Sequence, residues 1–304
     1  MKYKLSYKQQ PPDERNYVYI SSKTHQKNNI LLKNPQKSIV CAKINIPASY
    51  SVPTTKLSNT ILDQGSVGTC VCNAAAFTIT SIIKTLKPSR LCLYALARIL
   101  TNVLLSDDSG LNVIDACSAI KKYGVCQETL CPYVESNFSV MPSLSALKNC
   151  NTLNSFAYYF VNQDLQSIKQ ALVTNSSPII FGICVYDSFM TSQVASTGMI
   201  PMPNTTTETL LGGHCLVLVG YNDSTQLFTV INSWGTEWGK KGYCYFPYKY
   251  LTDTNLAMDF CYYKINSGLN SASPMTTPHI LAKLQQKFQP QQKKAHSFFR
   301  MKFF

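Results

Sequence analysis

The chain has 304 residues, 45% of them apolar and 11% aromatic, enough to bury a large core, and its formal net charge is +13. That charge sits at the ends: residues 1–45 carry nine Lys/Arg against two Asp/Glu, residues 271–304 six against none, and the centre thirteen of each. A neutral centre argues against a nucleic-acid-binding core and for an enzyme core with basic appendages.

Residues 1–45 are polar and basic. Within them Pro11-Pro12-Asp13-Glu14-Arg15 precedes the alternating Tyr17-Val18-Tyr19-Ile20, which reads either as a short strand added to the domain or as part of a mostly disordered arm. The Pro-bounded stretch from Ile46 is extended, which places a domain boundary near residue 45. After Cys70, the residues Ala75, Ile79, Ile82, Ile83 and Leu86 recur at helical spacing and predict a buried helix stopped by Pro88. A second helix is expected from Leu91 to Leu105, a turn at Asp107-Asp108-Ser109-Gly110, and a third helix from Val113 to Lys122. Pro132-Tyr133 opens a looser stretch, and Asp164 to Leu172 reads as an amphipathic helix. The texture then changes to strands: 178–185, 215–221, 227–231 and 242–246. A helical half followed by a strand-rich half predicts an α+β fold with a cleft between the parts. Beyond Ile265 the chain turns to Ser, Pro, Gln and Lys, with an apolar stripe at Ile280, Leu281, Leu284 and Phe288 and an aromatic, basic end at 298–304. The tails leave open a contact with anionic membrane or nucleic acid; a flexible, solvated tail is the plainer alternative. The domains expected are a basic arm (1–45), a catalytic domain (46–270) and a tail (271–304).

The N-terminus has the charge of a signal peptide but no apolar run behind it, and no run of about 18 apolar residues occurs elsewhere. A soluble, intracellular, cytoplasmic chain is expected, or one in a virion or host cell if viral. The twelve cysteines are accordingly expected as reduced thiols packed as small hydrophobes. Their spacing gives no convincing zinc site, since Cys70 and Cys72 are too close and the Cys126/Cys131 pair lacks a second pair or a nearby histidine. No metal or cofactor is expected.

The chemistry concentrates in three stretches: Gln64-Gly65-Ser66-Val67-Gly68-Thr69-Cys70, Gly212-Gly213-His214 and Asn232-Ser233-Trp234-Gly235. Cysteine, histidine and asparagine in that order suit a thiol nucleophile activated by an imidazole that an amide orients. His25, His279 and His296 all lie in the expected tails, so His214 has no rival in the core. Taken together, the stretches resemble the papain family of cysteine peptidases over roughly residues 46–265, and more the compact members without a signal peptide known in bacteria and large DNA viruses than secreted cathepsins. His214 follows Cys70 by 144 residues and Asn232 by 162, the second slightly beyond the family's usual interval.

The resemblance implies a helical left half, a strand-rich, β-barrel-like right half and an active-site cleft between them. It also implies roles: Cys70 as nucleophile, His214 as its acid–base partner, Asn232 orienting the ring, and Gln64 with the Cys70 N–H stabilising the oxyanion. Ser109 and Gly110 resemble the family's cleft-lining pair, and Gly213 and Trp234 are expected beside the substrate. The implied function is a cysteine endopeptidase acting on protein or peptide substrates. It is expected as a zymogen or self-inhibited form, with the N-terminal segment as its own inhibitor. A catalytically inactive papain-fold binding protein, or another cysteine acyl-transfer enzyme such as a deamidase or transglutaminase-like protein, are the alternatives. Three departures stand out. Val67 replaces a cysteine of the family's disulfide near the active site, Thr69 and Val71 alter the nucleophile's flanks, and no second core histidine supports an occluding loop. Side-chain preference is expected to involve the wall at 251–258, without a choice of residue.

Overall fold

The computed structural model describes residues 2–9, 18–20, 38–40, 45–153, 155–266 and 269–274; of 18–20, 38–40 and 269–274 it describes the backbone alone. The tail stripe at 280–288 lies outside the described residues.

Helix α1, Cys70–Ile82, is the pivot of the fold: all its residues but the last are buried. It packs against the other long helices of its half and, on its far side, against the sheet. Helix α2, Arg90–Leu100, begins at the Ser89 cap, whose hydroxyl accepts the Cys92 N–H. It stops at Leu100 rather than continuing to Leu105, because Asn102 turns left-handed (φ 61°). There the buried Arg98 gathers returning carbonyls, donating to Leu105 O at 2.6 Å and Asp107 O at 3.1 Å. Helix α3, Val113–Tyr123, opens on a capping box between Asn112 and Asp115 and closes on Gly124 at φ 75°. Helix α4, Leu144–Lys148, completes this half.

The short strands β1 (Val18–Ile20), β2 (Ser38–Val40), β3 (Ser49–Ser51) and β4 (Asn151–Leu153) come first in the chain, and the second half is an antiparallel sheet built on β5 (Ala157–Val161), β6 (Ile179–Tyr186), β7 (Leu210–Asn222), β8 (Leu227–Ile231), β9 (Tyr243–Pro247) and β10 (Ala257–Lys264), in the order β5-β10-β6-β7-β8-β9. The short strand Ser49–Ser51 pairs with β7. Val18–Ile20 is a strand that runs parallel to β5 and to Ser38–Val40. Helix α5, Leu165–Asn175, is capped by Asp164 and covers one side. The expected α+β architecture, a helical half beside a strand-rich one, is the one found, and among the described residues the strand order ends at Ser38–Val40 on one edge and at β9 on the other, so the sheet is open rather than closed into a barrel. Two strands, β5 and β10, escape a sequence reading, although β10 sits between β5 and β6. Tyrosines and a charged residue interrupt their alternation, and a bulge between Met258 and Cys261 breaks the period of two.

Candidate active site

Cys70 is the first residue of α1, where unpaired backbone N–H groups and the helix dipole favour a negative sulfur. The turn before it is held from several sides. Asn73 Nδ2 returns to Thr69 O at 2.9 Å, the Tyr133 hydroxyl donates to Gln64 O at 2.7 Å, and Arg90 Nη1 reaches Asp63 O and Asn73 Oδ1 at 2.9 Å each. Arg90 in turn is paired with Glu128 at 2.8 Å and lies over the Tyr133 ring. This loop is stitched to the one after β8: Gln64 N–H donates to Ser233 O at 2.9 Å, and the Ser233 hydroxyl donates to Gln64 Oε1 at 2.8 Å. That second bond turns the Gln64 Nε2 donor toward the cleft.

His214 lies on β7, opposite Ile183 of β6, and is fully buried. Its Nε2 is 2.7 Å from Asn232 Oδ1. The same oxygen accepts the Ser233 N–H at 2.8 Å, so Nε2 is the donor and the neutral ring carries its lone pair on Nδ1. Nδ1 is buried without a hydrogen-bond partner. Trp234 stacks on the ring at 4.8 Å between centroids and closes the outer side of the His214–Asn232 pair. The Cys70 sulfur is met by the backbone N–H of Cys215, the residue after His214. The fold therefore brings Cys70, His214, Asn232 and Gln64 to one place.

The cleft is occupied by the chain's own residues 2–9. Gln64 Nε2 donates to Lys4 O at 3.1 Å. The Ser6 hydroxyl lies 4.0 Å from Cys70 Sγ, Tyr7 N–H donates to Gly213 O at 2.9 Å, and Lys8 N–H donates to Leu111 O at 3.1 Å. Tyr3 stacks on Trp234 with centroids 4.6 Å apart, and Lys4 is paired with Asp108 at 3.0 Å. A Cβ on Gly110 or Gly213 would collide with the segment's backbone, so these two glycines give the peptide its room. Of the residues expected to line the cleft, Gly110, Gly213 and Trp234 touch the segment, whereas the Ser109 hydroxyl is buried and unpartnered.

The Tyr7 ring fills a pocket floored by Gly182, where any side chain would strike the ring, and its hydroxyl donates to Asp259. Asp259 sits in the β10 bulge at φ 57°, a conformation that aims its carboxylate into the pocket. Gly182 lies on β6 beside Cys215, so pocket and nucleophile share one wall. Sequence reasoning placed the wall at 251–258 and missed Asp259, Gly182 and Leu111. Only the bulge, which no local pattern announces, points Asp259 inward.

With the segment in place the pair is neutral. Burial pushes the Cys70 thiol up to about 11, although the Cys215 N–H and the Ser6 hydroxyl oppose it. Burial lowers His214 to about 4, against the bond that its ring donates to Asn232. A buried thiol and a buried neutral imidazole cost less desolvation than a separated thiolate and imidazolium.

The residues match the papain family cysteine protease pattern over 46–263. The chain belongs to that family and is a papain-like cysteine protease, a hydrolase acting on protein or peptide substrates. It is 35% identical over 270 residues to an uncharacterized peptidase C1-like protein of Acanthamoeba polyphaga mimivirus, covering 81% of this chain and 86% of that one. With cathepsin B of Dictyostelium discoideum it shares 26% over 234 residues, 66% of this chain and 69% of the other. Among solved structures it is similar to xylellain, a cysteine protease from Xylella fastidiosa, with a TM-score of 0.71 and 28% identity, over 87% of this chain and 97% of that one.

Proposed function

We propose that the protein is a cysteine endopeptidase that holds itself closed with residues 2–9. The observation that carries this reading is that the cleft already grips an extended peptide by its backbone. A carbonyl lies on Gln64, and two N–H groups lie on Gly213 and Leu111, all beside Cys70. The way the segment lies supports an inhibitory reading over a substrate-like one. Attack needs a single carbonyl to face both Cys70 Sγ and the Gln64 donor, but the carbonyl on Gln64 is that of Lys4, while the sulfur faces the Ser6 side chain. The Gln64 donor and the sulfur thus engage different residues of the segment, Lys4 and Ser6, and the sulfur also meets the Ser6 backbone N–H.

When the segment leaves, water returns and the charged pair becomes affordable. His214 Nδ1 takes the Cys70 proton, with Asn232 holding the ring through Nε2. The thiolate attacks a substrate carbonyl, and Gln64 Nε2 with the Cys70 N–H receives the oxyanion; one such donor is typically worth about 3–4 kcal/mol in the transition state. His214 then protonates the leaving amine, and water, deprotonated by the same ring, releases the acyl group from sulfur. The test is cleavage of a mixed peptide library by three proteins: the full chain, the chain without residues 1–9, and the Cys70→Ala form of the truncated chain. Internal cleavage by the truncated chain alone is expected. Cleavage persisting in Cys70→Ala would move the nucleophile elsewhere, and equal activity with and without residues 1–9 would remove the inhibitory role.

A further inference from the structure

Apart from the catalytic centre, the helical half buries a cluster of cysteines that peptide hydrolysis does not use. Cys92 stands in the first turn of α2, Cys126 follows Gly124 at the end of α3, and Cys150 follows α4. Their three sulfurs lie within 4.8 Å of one another, and Cys92 Sγ is 3.8 Å from Cys150 Sγ. In the sequence Cys126 pairs by spacing with Cys131 and has no second pair; the fold supplies Cys92 and Cys150 instead.

We propose that Cys92, Cys126 and Cys150 supply three thiolate ligands of a structural zinc(II) site, set by three buried sulfurs that lie within 4.8 Å of one another, two of them at 3.8 Å. With zinc–sulfur bonds of about 2.3 Å, two thiolates of a tetrahedral site are about 3.8 Å apart. A disulfide would account for two of these sulfurs and leave the third. The backbone holds the three ligands in register. Ser89 N–H donates to Cys126 O at 2.9 Å, the Ser89 hydroxyl accepts the Cys92 N–H at 3.1 Å, and Val125 and Asn151 exchange two bonds of 3.0 Å. The helix start at Cys92 favours negative charge on its sulfur. On binding, each thiol still protonated releases its proton, and three thiolates around zinc(II) leave a net charge of −1 on the site. All three sulfurs are buried, so the ion enters as this half folds, and it ties α2, the 125–127 segment and the start of the 151–153 strand together.

The test is metal analysis and cobalt(II) titration of the full chain, purified with reductant and supplied with zinc. About one zinc per chain is expected, retained in Cys70→Ala, with a thiolate-to-cobalt charge-transfer band on substitution and a lower Tm in a strong chelator. Cys126→Ser should abolish both zinc and the band. If that variant fails to fold, the wild-type measurements decide by themselves. A folded wild type that takes up neither zinc nor cobalt, a Tm unmoved by chelator, or a Cys92–Cys150 disulfide found by mass spectrometry overturns the proposal.

Discussion

Asp259 joins the enzyme's two states. In the closed chain its carboxylate receives the Tyr7 hydroxyl, and release of the segment leaves that carboxylate facing the emptied pocket above Gly182. Asn is the mildest probe, because it keeps the shape and tolerates the left-handed backbone at φ 57°. A hydrogen bond to a charged group is worth about 1.5–3 kcal/mol, so Asp259→Asn should speed labelling of Cys70 by an epoxide-type probe in the full chain about tenfold or more. An unchanged labelling rate would detach Asp259 from closure. The same variant in the chain lacking residues 1–9 reports on substrate choice: cleavage after recognition of Lys, Arg or Tyr side chains should fall relative to aliphatic ones. This assignment was out of reach of the sequence, where Asp259 is one acid in an apolar run. The local contexts of Cys70, His214 and Asn232 were legible because a helix start, a strand and a turn are short-range features.

The N-terminal segment is an element without secondary structure of its own, held by side chains at both ends and backbone bonds between them. Its closure depends on pH, with a sign fixed by the two buried groups. His214 is depressed from 6.5 to about 4, so the closed state stabilises the neutral ring. That contribution is complete above 6.5 and is lost as the pH falls toward 4. Cys70 is raised from 9.0 to about 11, so its contribution is complete below 9.0 and is lost as the pH rises toward 11. Closure is therefore firmest between these ranges. Acidification from pH 6.5 to 4.5 should accelerate Cys70 labelling in the full chain relative to the chain without residues 1–9, by up to about tenfold per unit. A ratio of the two rates that stays flat over this range would mean that His214 does not resist protonation in the closed form. The sequence marked residues 1–45 as a candidate inhibitor, but periodicity carries no information about a segment that is neither helix nor strand.

Across the whole molecule, the cleft depends on a scaffold that spans both halves. Arg98 is fully buried, stacked 3.8 Å over Tyr94, and donates to the Tyr94, Leu105, Asp107 and Phe138 carbonyls. Those bonds shape the loop that leads to Gly110 and Leu111, while the Tyr94 hydroxyl accepts the Gly110 N–H at 3.1 Å and donates to Asp108 at 2.7 Å. Arg98→Leu would strand several buried carbonyls at about 1–3 kcal/mol each, so Tm should drop by roughly 6 °C or more. A drop under roughly 2 °C in differential scanning calorimetry would show that water or a shifted loop replaces the guanidinium. No described helix is long and apolar enough to cross a membrane.

What the sequence determined by itself was local. The order and setting of Gln64, Cys70, His214 and Asn232 named the family, and periodicity placed the helices that begin near Cys70, Leu91, Val113 and Asp164. Such features depend on neighbours a turn or two away, and the chain records them directly. The tertiary structure decided what meets across long separations: β10 inserted between β5 and β6, Asp259 aimed by a bulge, Lys4 laid on Gln64, and three distant cysteines brought to one point. The contacts that select these placements are made by packing and by unpaired backbone groups, and these have no period to read. To the turn from Gln64 to Cys70, read from the sequence as the nucleophile's, the structure adds the contacts of residues 2–9 of the same chain.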